Sequence, residues 1–306
     1  MPNIVFMGTP AFAVPALQAL HHALGVRAVV TVPDKAKGRG LTLQPPDVKT
    51  AALELGIATI LQPTSLKDPA FQAELAALQP DVLCVIAFRI LPRSVYAMAR
   101  LGAFNVHASL LPKYRGAAPI NHAIIHGETE TGVTSFLLND VVDTGKIIAQ
   151  KRIAIPDGMT AGELYAALMP LAADCAVETC RALLDGTATP MPQHDDLATP
   201  APKVFRETSV VDWMHNRNVV RNFIHGLSPT PAAWTTWNGE PLKIYRASYS
   251  DMPCPAGQWT ITNGCLIAGC LDGSLMLDEI QLPGKRRMMS ADVVRGYRGS
   301  LEGTFQ

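Results

Sequence analysis

Short apolar runs alternate with segments of helical spacing through the first half of the chain. Apolar runs separated by helices are typical of parallel strands that helices cover on both faces. The predicted strands cover residues 4–7, 26–32, 58–61, 82–87, 104–107 and 133–138. Residues 83–86 are apolar at every position, as expected of a central strand. The pattern therefore predicts an α/β domain with a doubly wound, mostly parallel sheet.

Helical spacing occurs between these runs and, at greater length, after them. The shorter predicted helices cover residues 51–55, 71–78 and 95–99. Residues 161–184 carry apolar side chains at intervals of three and four, and Asp185-Gly186 follows as a C-terminal cap. Pro170 lies inside this stretch and is predicted to kink or divide the helix, because its ring removes a backbone hydrogen bond.

The composition changes after this long helix. Residues 187–202 contain four prolines, two aspartates and little apolar material, as in an extended linker. A helical stretch at 210–224 then precedes strand patterns at 232–237, 242–247, 257–261, 265–268 and 274–281. Short strands separated by Asn-Gly and Asp-Gly turns predict a small, OB-like β-barrel. We therefore divide the chain into an N-terminal domain at 1–189, a linker at 190–206 and a C-terminal domain at 207–306.

Composition narrows the class of protein without giving its function. The 306 residues are 48% hydrophobic and 17% charged, which is enough apolar material for a substantial core. The formal net charge is zero, so any binding of nucleic acid has to come from local patches. Apolar runs are too short to cross a bilayer, and the chain enters a strand pattern without a basic leader. We therefore expect a cytoplasmic protein.

The spacing of cysteine and histidine residues does not predict a metal site. The six cysteines include no Cys-x-x-Cys pair, and we interpret them as reduced structural residues. His122 and His126 lie four residues apart, but the stretch lacks the glutamate of a His-Glu-x-x-His motif and a third ligand. We assign both histidines to structure and expect no metal.

An amide, an imidazole and a carboxylate occur where an α/β sheet is expected to bind a ligand. Because side chains alternate along a strand, Asn105 and His107 lie on the same face at the carboxyl end of their predicted strand. Asp143 follows the next strand. Ligands bind open α/β sheets outside the carboxyl ends of strands. An isolated Asn-x-His would more often only satisfy hydrogen bonds at a strand end, with Asp143 capping the Thr144-Gly145 turn.

The neighbouring residues make the pattern more specific. Asn105-Val106-His107-Ala108 leads into Ser-Leu-Leu-Pro-Lys-Tyr-Arg-Gly at 109–116. Together with the Asp143-Thr144-Gly145 turn, this resembles the formyltransferases that use 10-formyltetrahydrofolate. The resemblance covers essentially the whole chain and implies a Rossmann-like formyltransferase domain that takes 10-formyltetrahydrofolate as co-substrate. It also implies that Asn105, His107 and Asp143 are the catalytic residues.

Formyl transfer explains why these residue types are needed. When an amine attacks the formyl carbon, an oxyanion forms and the resulting ammonium must lose a proton, so the site needs donors and a proton path. Asn105 can donate to the oxyanion, and His107 can donate to it or exchange protons with the folate nitrogen. Asp143 can orient the imidazole. The sequence leaves open whether His107 acts as acid, base or donor.

The resemblance further implies a folate pocket built from three segments. Its predicted members are Phe88, Arg89, Ile90, Leu91, Ser109, Leu110, Leu111, Pro112, Leu138, Asn139 and Asp140. The segment 87–92 reads Ala-Phe-Arg-Ile-Leu-Pro and is one residue shorter than the Ala-Tyr-Gly-x-x-Leu-Pro form expected in the family.

The turn after the first strand and two groups of basic residues are predicted to bind the amine acceptor. Gly8-Thr9-Pro10 lacks a Gly-x-Gly-x-x-Gly series, so we expect it to line the amine-acceptor side of the cleft and not to bind a dinucleotide. The predicted tRNA contacts are Lys35, Lys37 and Arg39 in one basic loop and Lys243, Arg246, Lys285, Arg286 and Arg287 in the tail. The loop resembles the insertion by which methionyl-tRNA formyltransferases hold initiator methionyl-tRNA. Taken singly, each of these charges is more often a solvated surface group.

Two rival functions use parts of the same pattern. A formyltransferase acting on an amino sugar or another small amine would keep the three chemical residues but would have no use for the basic loop. A folate-binding or RNA-binding protein without turnover would not need the three chemical residues. We expect transfer to initiator methionyl-tRNA by an enzyme that acts as a monomer.

Overall fold

The computed structural model describes residues 2–37 and 42–305. The chain forms two compact units. The first comprises Met1–Gly116, Thr131–Ile153 and Tyr165–Pro200, and the second comprises Ala117–Glu130, Ala154–Leu164 and Ala201–Gln306. Among the helices in the described residues, none is long and apolar enough to cross a membrane. The domain bounds expected from the sequence stay a prediction.

Strands and helices alternate up to residue 184. The strands are β1 (Ile4–Gly8), β2 (Ala28–Val30), β3 (Lys35–Lys37), β4 (Thr42–Gln44), β5 (Thr59–Leu61), β6 (Val82–Ile86), β7 (Gly102–His107), β8 (Arg115–Gly116), β9 (Glu130–Leu137) and β10 (Ile147–Ala154). The helices are α1 (Val14–Leu24), α2 (Asp47–Glu54), α3 (Pro69–Ala77), α4 (Arg93–Tyr96), α5 (Pro119–Ile125) and α6 (Ala161–Leu184).

Seven of these strands form one sheet in the order β10-β9-β7-β6-β1-β2-β5. β1 pairs in parallel with β2 and β6, and β6 pairs in parallel with β7, whereas β7 and β9 are antiparallel. Every residue of β1 and β6 is buried, which accounts for their uninterrupted apolar sequence. The predicted doubly wound, mostly parallel sheet is confirmed. Its switch point lies between β1 and β6, where the direction of winding reverses.

The long helix runs unbroken through Pro170, so the predicted alternative of a divided helix is wrong. A proline inside a helix removes one backbone hydrogen bond, and tertiary packing has to offset that loss. Leu168 and Ala172 lie one turn apart and are fully buried. Farther along, the Thr179 hydroxyl donates to Ser135 Oγ of β9 over 2.6 Å. The helix is therefore held against the sheet on both sides of the proline.

The second unit contains an antiparallel sheet. Its elements after residue 184 are β11 (Pro200–Ala201, shared with the first unit), α7 (Arg217–Gly226), β12 (Ala233–Trp237), β13 (Glu240–Ser250), β14 (Gln258–Thr262), β15 (Cys265–Cys270), β16 (Gly273–Gln281), β17 (Met288–Met289), α8 (Ser290–Gly296) and β18 (Glu302–Thr304). The strand order is β12-β13-β16-β15-β14-β18, and β17 also pairs with β16. This antiparallel half-barrel confirms the predicted β-rich C-terminal fold.

Tryptophan side chains fill the core of this half-barrel. Trp213, Trp237 and Trp259 are at most 5% exposed and belong to one apolar cluster. α7 begins at Arg217 and not at residue 210, where the sequence predicted a helix. The reason is that the backbone N–H of Val211 donates to the carbonyl of Trp234 over 2.9 Å, which holds that stretch as an extended partner of β12.

Candidate active site

Two of the predicted catalytic side chains lie at the carboxyl end of β7. Asn105 is paired with Val85 of β6 and Phe136 of β9, and His107 is paired with Thr134 of β9. Because they are two residues apart on one strand, their side chains share a face, as predicted. The Asn105 side chain is half-buried and makes no hydrogen bond with residues 2–37 or 42–305. Its amide therefore stays free to donate.

The His107 ring is buried, is hydrogen-bonded at Nε2 and faces a carboxylate at Nδ1. Nε2 lies 2.8 Å from the carbonyl oxygen of Tyr114, and Nδ1 lies 3.8 Å from Oδ2 of Asp143. A carbonyl can only accept, so Nε2 carries the hydrogen of that bond. Nδ1 is consequently the ring atom that faces the carboxylate, at a distance beyond a direct hydrogen bond.

Asp143 reaches the ring by an unexpected route. Since β9 is antiparallel to β7, its last residue, Leu137, lies opposite Phe104 and not opposite His107. Three residues of strand correspond to about 10 Å. Residues 138–146, which we call the hairpin loop because they join β9 to β10, have to return over that distance to bring the carboxylate beside His107. The sequence correctly associated the two residues, but a parallel strand end does not bring them together.

The turn at residues 143–145 depends on its backbone geometry. Asp143 has a φ of +57°, in the left-handed region that non-glycine residues seldom adopt. At Gly145 a Cβ atom would lie 1.6 Å from the carbonyl oxygen of Leu137, so a larger residue cannot fit without moving backbone. The Thr144 hydroxyl donates within the loop to the carbonyl of Val141. The Asp-Thr-Gly sequence therefore matches a tight return of the chain against β9.

Residues 114–116, which we call the frame, support the side chains of both His107 and Asp143. The Tyr114 carbonyl accepts from His107, and the backbone N–H of Gly116 donates to Asp143 Oδ2 over 2.9 Å. Asp143 and His107 are 9% and 7% exposed. Both side chains are therefore hydrogen-bonded to the same three-residue stretch of backbone. A free amide donor beside an imidazole with a carboxylate partner can stabilise an oxyanion and accept or release a proton.

Residues 108–113, which we call the β7 loop, are fixed by buried hydrogen bonds. The Thr134 hydroxyl donates to the Ser109 carbonyl over 2.6 Å and accepts from the N–H of Leu111 over 3.0 Å. Gln150 donates to both the Leu111 carbonyl and Thr134 Oγ1. Ser109 and Leu111, two predicted folate contacts, are 0% and 3% exposed. Leu110 and Pro112 are half-buried, so more of their surface is open to a ligand.

The shortened 87–92 segment is anchored by its arginine. Arg89 donates from its two terminal nitrogens to the carbonyls of Pro63 and Thr64, each over 2.9 Å, and its guanidinium lies 5.1 Å from the Phe88 ring centre. Partial burial lowers the pKa of Arg89. Ile90 is 76% exposed, whereas Leu91 belongs to the core. Of these predicted folate contacts, Ile90 presents the largest free apolar surface.

The hairpin loop begins with the remaining predicted folate residues. Leu138 is half-buried, and its N–H donates to the Ala103 carbonyl. The side chain of Asn139 bonds to Thr144, and the carboxylate of Asp140 accepts from the Tyr96 hydroxyl over 2.6 Å. That hydrogen bond raises the pKa of Tyr96. Asn139 and Asp140 thus hold the base of the loop.

The turn after β1 lies at the switch point of the sheet. At Gly8 a Cβ atom would lie 2.8 Å from the Phe6 ring and 3.1 Å from the Ile86 carbonyl oxygen, which explains the glycine. The Thr9 hydroxyl is buried without a hydrogen-bond partner among the described residues. Pro10 follows it and is half-buried. An unpartnered buried hydroxyl at this edge is available to a ligand.

The predicted tRNA contacts differ in how free they are. Lys35 is exposed. Lys37 ends β3, and Arg39 lies outside the described residues. In the tail, Arg246 pairs with Glu163 over 2.5 Å, and Arg287 pairs with Glu279 beneath the Tyr245 ring. Lys243 is half-buried, and Lys285 and Arg286 are exposed.

Sequence reasoning missed the residues that hold His107 and Asp143 in place. The frame acts through backbone groups, which carry no side-chain signal. Thr134 lies in a strand pattern and Gln193 in a proline-rich stretch assigned to a linker, so neither stood out. The donation from Arg115 to Gln193 links two segments that are distant in sequence.

Comparison with known proteins gives the family. The formyl transferase model matches residues 2–179, and the model of the formyl transferase C-terminal domain matches residues 203–298. A methionyl-tRNA formyltransferase from Chlorobium phaeovibrioides is 44% identical over 97% of this chain and 95% of its own length. One from Parabacteroides distasonis is 45% identical over 99% and 98%.

A solved structure supports the same fold. It is described as WlaRD, a sugar 3N-formyl transferase in the presence of dTDP and 5-N-formyl-THF, and it superimposes with a TM-score of 0.66. The match covers 94% of this chain and 99% of that one at 18% identity, which supports the fold alone. Because the family model spans more than half of the chain and the relatives align almost end to end, this chain belongs to the formyl transferase family.

Proposed function

We propose that this chain transfers the formyl group of 10-formyltetrahydrofolate to the amino group of methionine on initiator methionyl-tRNA, for translation initiation. One structural observation carries the proposal. The free amide of Asn105 lies on the same strand face as His107, and the Asp143 carboxylate lies beside the His107 ring. This arrangement occurs in a chain that aligns almost end to end with proteins named for that reaction.

The reaction assigns each of the three side chains a task. The methionine nitrogen attacks the formyl carbon, a C–N bond forms, and the carbonyl electrons move to oxygen. The Asn105 amide donates to that oxyanion; one well-aimed donor is worth about 10² to 10³ in rate. The ammonium then loses its proton, the bond from carbon to folate nitrogen breaks, and the folate nitrogen takes up a proton as the carbonyl reforms.

The ring geometry selects the atom that moves the proton. Nε2 of His107 is engaged by the Tyr114 carbonyl, so proton exchange takes place at Nδ1. The Asp143 carboxylate, 3.8 Å from that atom, stabilises the ring while it carries the extra proton. The hydrogen bond from Nε2 to the Tyr114 carbonyl also fixes the orientation of the ring. His107 therefore acts at one defined nitrogen throughout the transfer.

Exposed apolar side chains flank the catalytic strand and suit a flat pterin ring. Ile90 is 76% exposed in the segment that follows β6, and Val141 and Val142 are 62% and 49% exposed in the hairpin loop. β6 and β9 are the two neighbours of β7 in the sheet. Apolar groups left open beside a few directed polar groups are typical of small-molecule sites. We assign the folate to this side, with Leu110 and Pro112 as further contacts.

Basic residues supply the acceptor side. Lys35 at the start of β3 is exposed, and Lys37 and Arg39 follow it in the sequence, with Arg39 outside the described residues. Of the five predicted tail contacts, Lys285 and Arg286 are exposed, whereas Arg246 and Arg287 would have to exchange an acidic partner for a phosphate. Gly8, Thr9 and Pro10 would face the methionine. We place the protein in the cytoplasm, because charged initiator tRNA is used where ribosomes are. Action as a monomer completes the proposal.

Formylation of methionine-charged initiator tRNA by the purified protein tests this function. The assay contains 10-formyltetrahydrofolate and is run beside charged elongator tRNA and a free amino sugar. We expect transfer to the initiator alone, with an apparent KM for tRNA that rises steeply with salt because phosphate contacts release counterions. Transfer to the sugar alone would keep the three catalytic assignments and reject the tRNA substrate. A lack of transfer to any acceptor would reject the enzymatic function.

A further inference from the structure

Gln193 lies in the proline-rich stretch after α6 and uses its whole side-chain amide on the catalytic region. Its Nε2 donates to the carbonyl oxygens of Asp143 and Gly145, each over 2.9 Å. Its Oε1 accepts from Nε and Nη2 of Arg115, over 3.1 and 2.7 Å. A glutamine amide has two donor hydrogens and one oxygen with two lone pairs, so every position is used. Gln193 thereby joins both ends of the Asp143 turn to the frame.

The Asp143 turn needs an external support. Asp143 has positive φ, and Val141 and Val142 just before it are largely exposed, so few apolar contacts fix this part of the hairpin loop. The bonds from Thr144 stay inside the loop and cannot set its position relative to the sheet. Among the described residues, Gly116 and Gln193 donate hydrogen bonds to this turn from other segments of the chain.

The same stretch also supports the other side of the site. The backbone N–H of Arg115 donates to the Thr199 carbonyl, and the N–H of Tyr114 donates to Thr199 Oγ1, each over 2.9 Å. Arg115 donates in addition to the Asp195 carboxylate over 2.6 Å. Residues 193–199, which we call the bridging segment, therefore fix the frame that holds the His107 ring.

We propose that Gln193 is a positioning residue for formyl transfer: it sets the place of the Asp143 carboxylate relative to the His107 ring by bridging the hairpin loop and the frame. It touches neither reacting group and acts through Asp143 and Arg115. The inference deepens the proposed function and rests on it for its catalytic consequence. A misplacement of about 1 Å in an active site can lower the rate about 100-fold, so loss of this one amide should impair the chemical step and spare the binding of both substrates.

The test compares Gln193→Ala with a matched control, Gln72→Ala. Gln72 also donates its amide to two oxygens, those of Leu66 and Ser94, and neither partner belongs to the site. We expect Gln193→Ala to lower kcat about 10- to 100-fold with little change in KM for tRNA or folate, and Gln72→Ala to leave both unchanged. An effect confined to KM, or an equal loss of kcat in the two variants, would overturn the proposal.

A second readout does not depend on activity. The Gly116 amide proton, which donates to Asp143, is expected to shift upfield in the NMR spectrum of Gln193→Ala because that bond lengthens. It should stay in place in Gln72→Ala. An unmoved Gly116 resonance in Gln193→Ala would overturn the positioning role even if the kcat of that variant falls. If the wild-type protein transfers no formyl group but the resonance moves, the proposed function fails and the structural link between Gln193 and Asp143 stands.

Gln193→Glu keeps the test decisive if the alanine variant unfolds. A carboxylate of the same size retains the Arg115 pair but has no hydrogen to donate to the Asp143 and Gly145 carbonyls. We expect a folded protein with the same loss of kcat and the same movement of the Gly116 resonance. Wild-type kcat in Gln193→Glu would mean that the two donated bonds do not position Asp143.

Discussion

The β7 loop and the hairpin loop lie on neighbouring strands of one sheet but are stabilised in different ways. In the β7 loop, Thr134 and Gln150 satisfy the backbone from inside the sheet, and Ser109 and Leu111 are buried. The hairpin loop is exposed at Val141 and Val142 and is tied down by distant groups. The β7 loop is part of the core, whereas the hairpin loop presents the Asp143 carboxylate and is held by hydrogen bonds from residues distant in sequence. The two sides of the candidate site therefore differ in how they are stabilised.

The largest effect on turnover is expected at His107, which ends β7 just before the β7 loop and faces Asp143 of the hairpin loop. His107→Ala removes the ring that exchanges protons, and we expect kcat to fall about 10³-fold or more, within the range of general acid–base catalysis. The measurement is single-turnover formylation at saturating substrates, with circular dichroism to verify folding. His107→Gln, which can still donate to the Tyr114 carbonyl, separates loss of chemistry from loss of that bond. Near-normal turnover in either folded variant would refute the assigned role.

Replacing the charge that the hairpin loop carries should have the next largest effect. In Asp143→Asn the side-chain oxygen can still accept from Gly116, so the turn keeps its support, but the negative charge beside Nδ1 is lost. We expect kcat to fall about 10²- to 10³-fold because the protonated ring is no longer stabilised. The kcat and the Gly116 amide resonance are measured together. Full activity with an unmoved resonance would show that the carboxylate has no electrostatic role.

Loosening the hairpin loop without changing its charge should have a smaller effect. Gly145→Ala would place a Cβ atom against the Leu137 carbonyl and force the turn away from β9, so we expect kcat to fall about 10- to 100-fold. Gly296→Ala is the control, because a Cβ atom there meets no neighbour within 4 Å and should leave kcat unchanged. Equal kcat values for the two variants in steady-state assays would contradict the tight return of the chain.

The smallest effect on turnover is expected from a change in the β7 loop. Thr134→Val removes a buried hydroxyl that makes three hydrogen bonds, and we expect the free energy of unfolding to fall by about 1–3 kcal/mol. Turnover should change only a few-fold, because His107 still has its frame. Urea unfolding measures the first quantity and a formylation assay the second.

Thr262→Val is the control for that change, since Thr262 is half-buried on β14 and its hydroxyl has no hydrogen bond within the described residues. If Thr134→Val lost more activity than Gly145→Ala while staying folded, the division between a structural loop and a catalytic loop would be wrong.

The pattern of apolar residues was sufficient to predict the sheet, because burial of a strand requires apolar side chains on each buried face. The all-apolar run at residues 83–86 predicted a central strand and became part of β6, and the alternation on β7 put Asn105 and His107 on one face. It was insufficient for the long helix, where Pro170 suggested a break that packing against the sheet prevents. It was also insufficient before α7, where Val211 pairs with Trp234 and does not continue the helix.

For the candidate site, the sequence by itself determined which chemical groups are present and the strand face that carries two of them. The tertiary structure decided how the third group, the Asp143 carboxylate, comes to lie beside His107. β9 proved antiparallel to β7, so Asp143 returns through the hairpin loop to a frame held by Gln193, about fifty residues later in the sequence. Side-chain period and turn chemistry are local and can be read from neighbouring residues. Hydrogen bonds between distant segments depend on where the whole chain folds, and no local pattern encodes them.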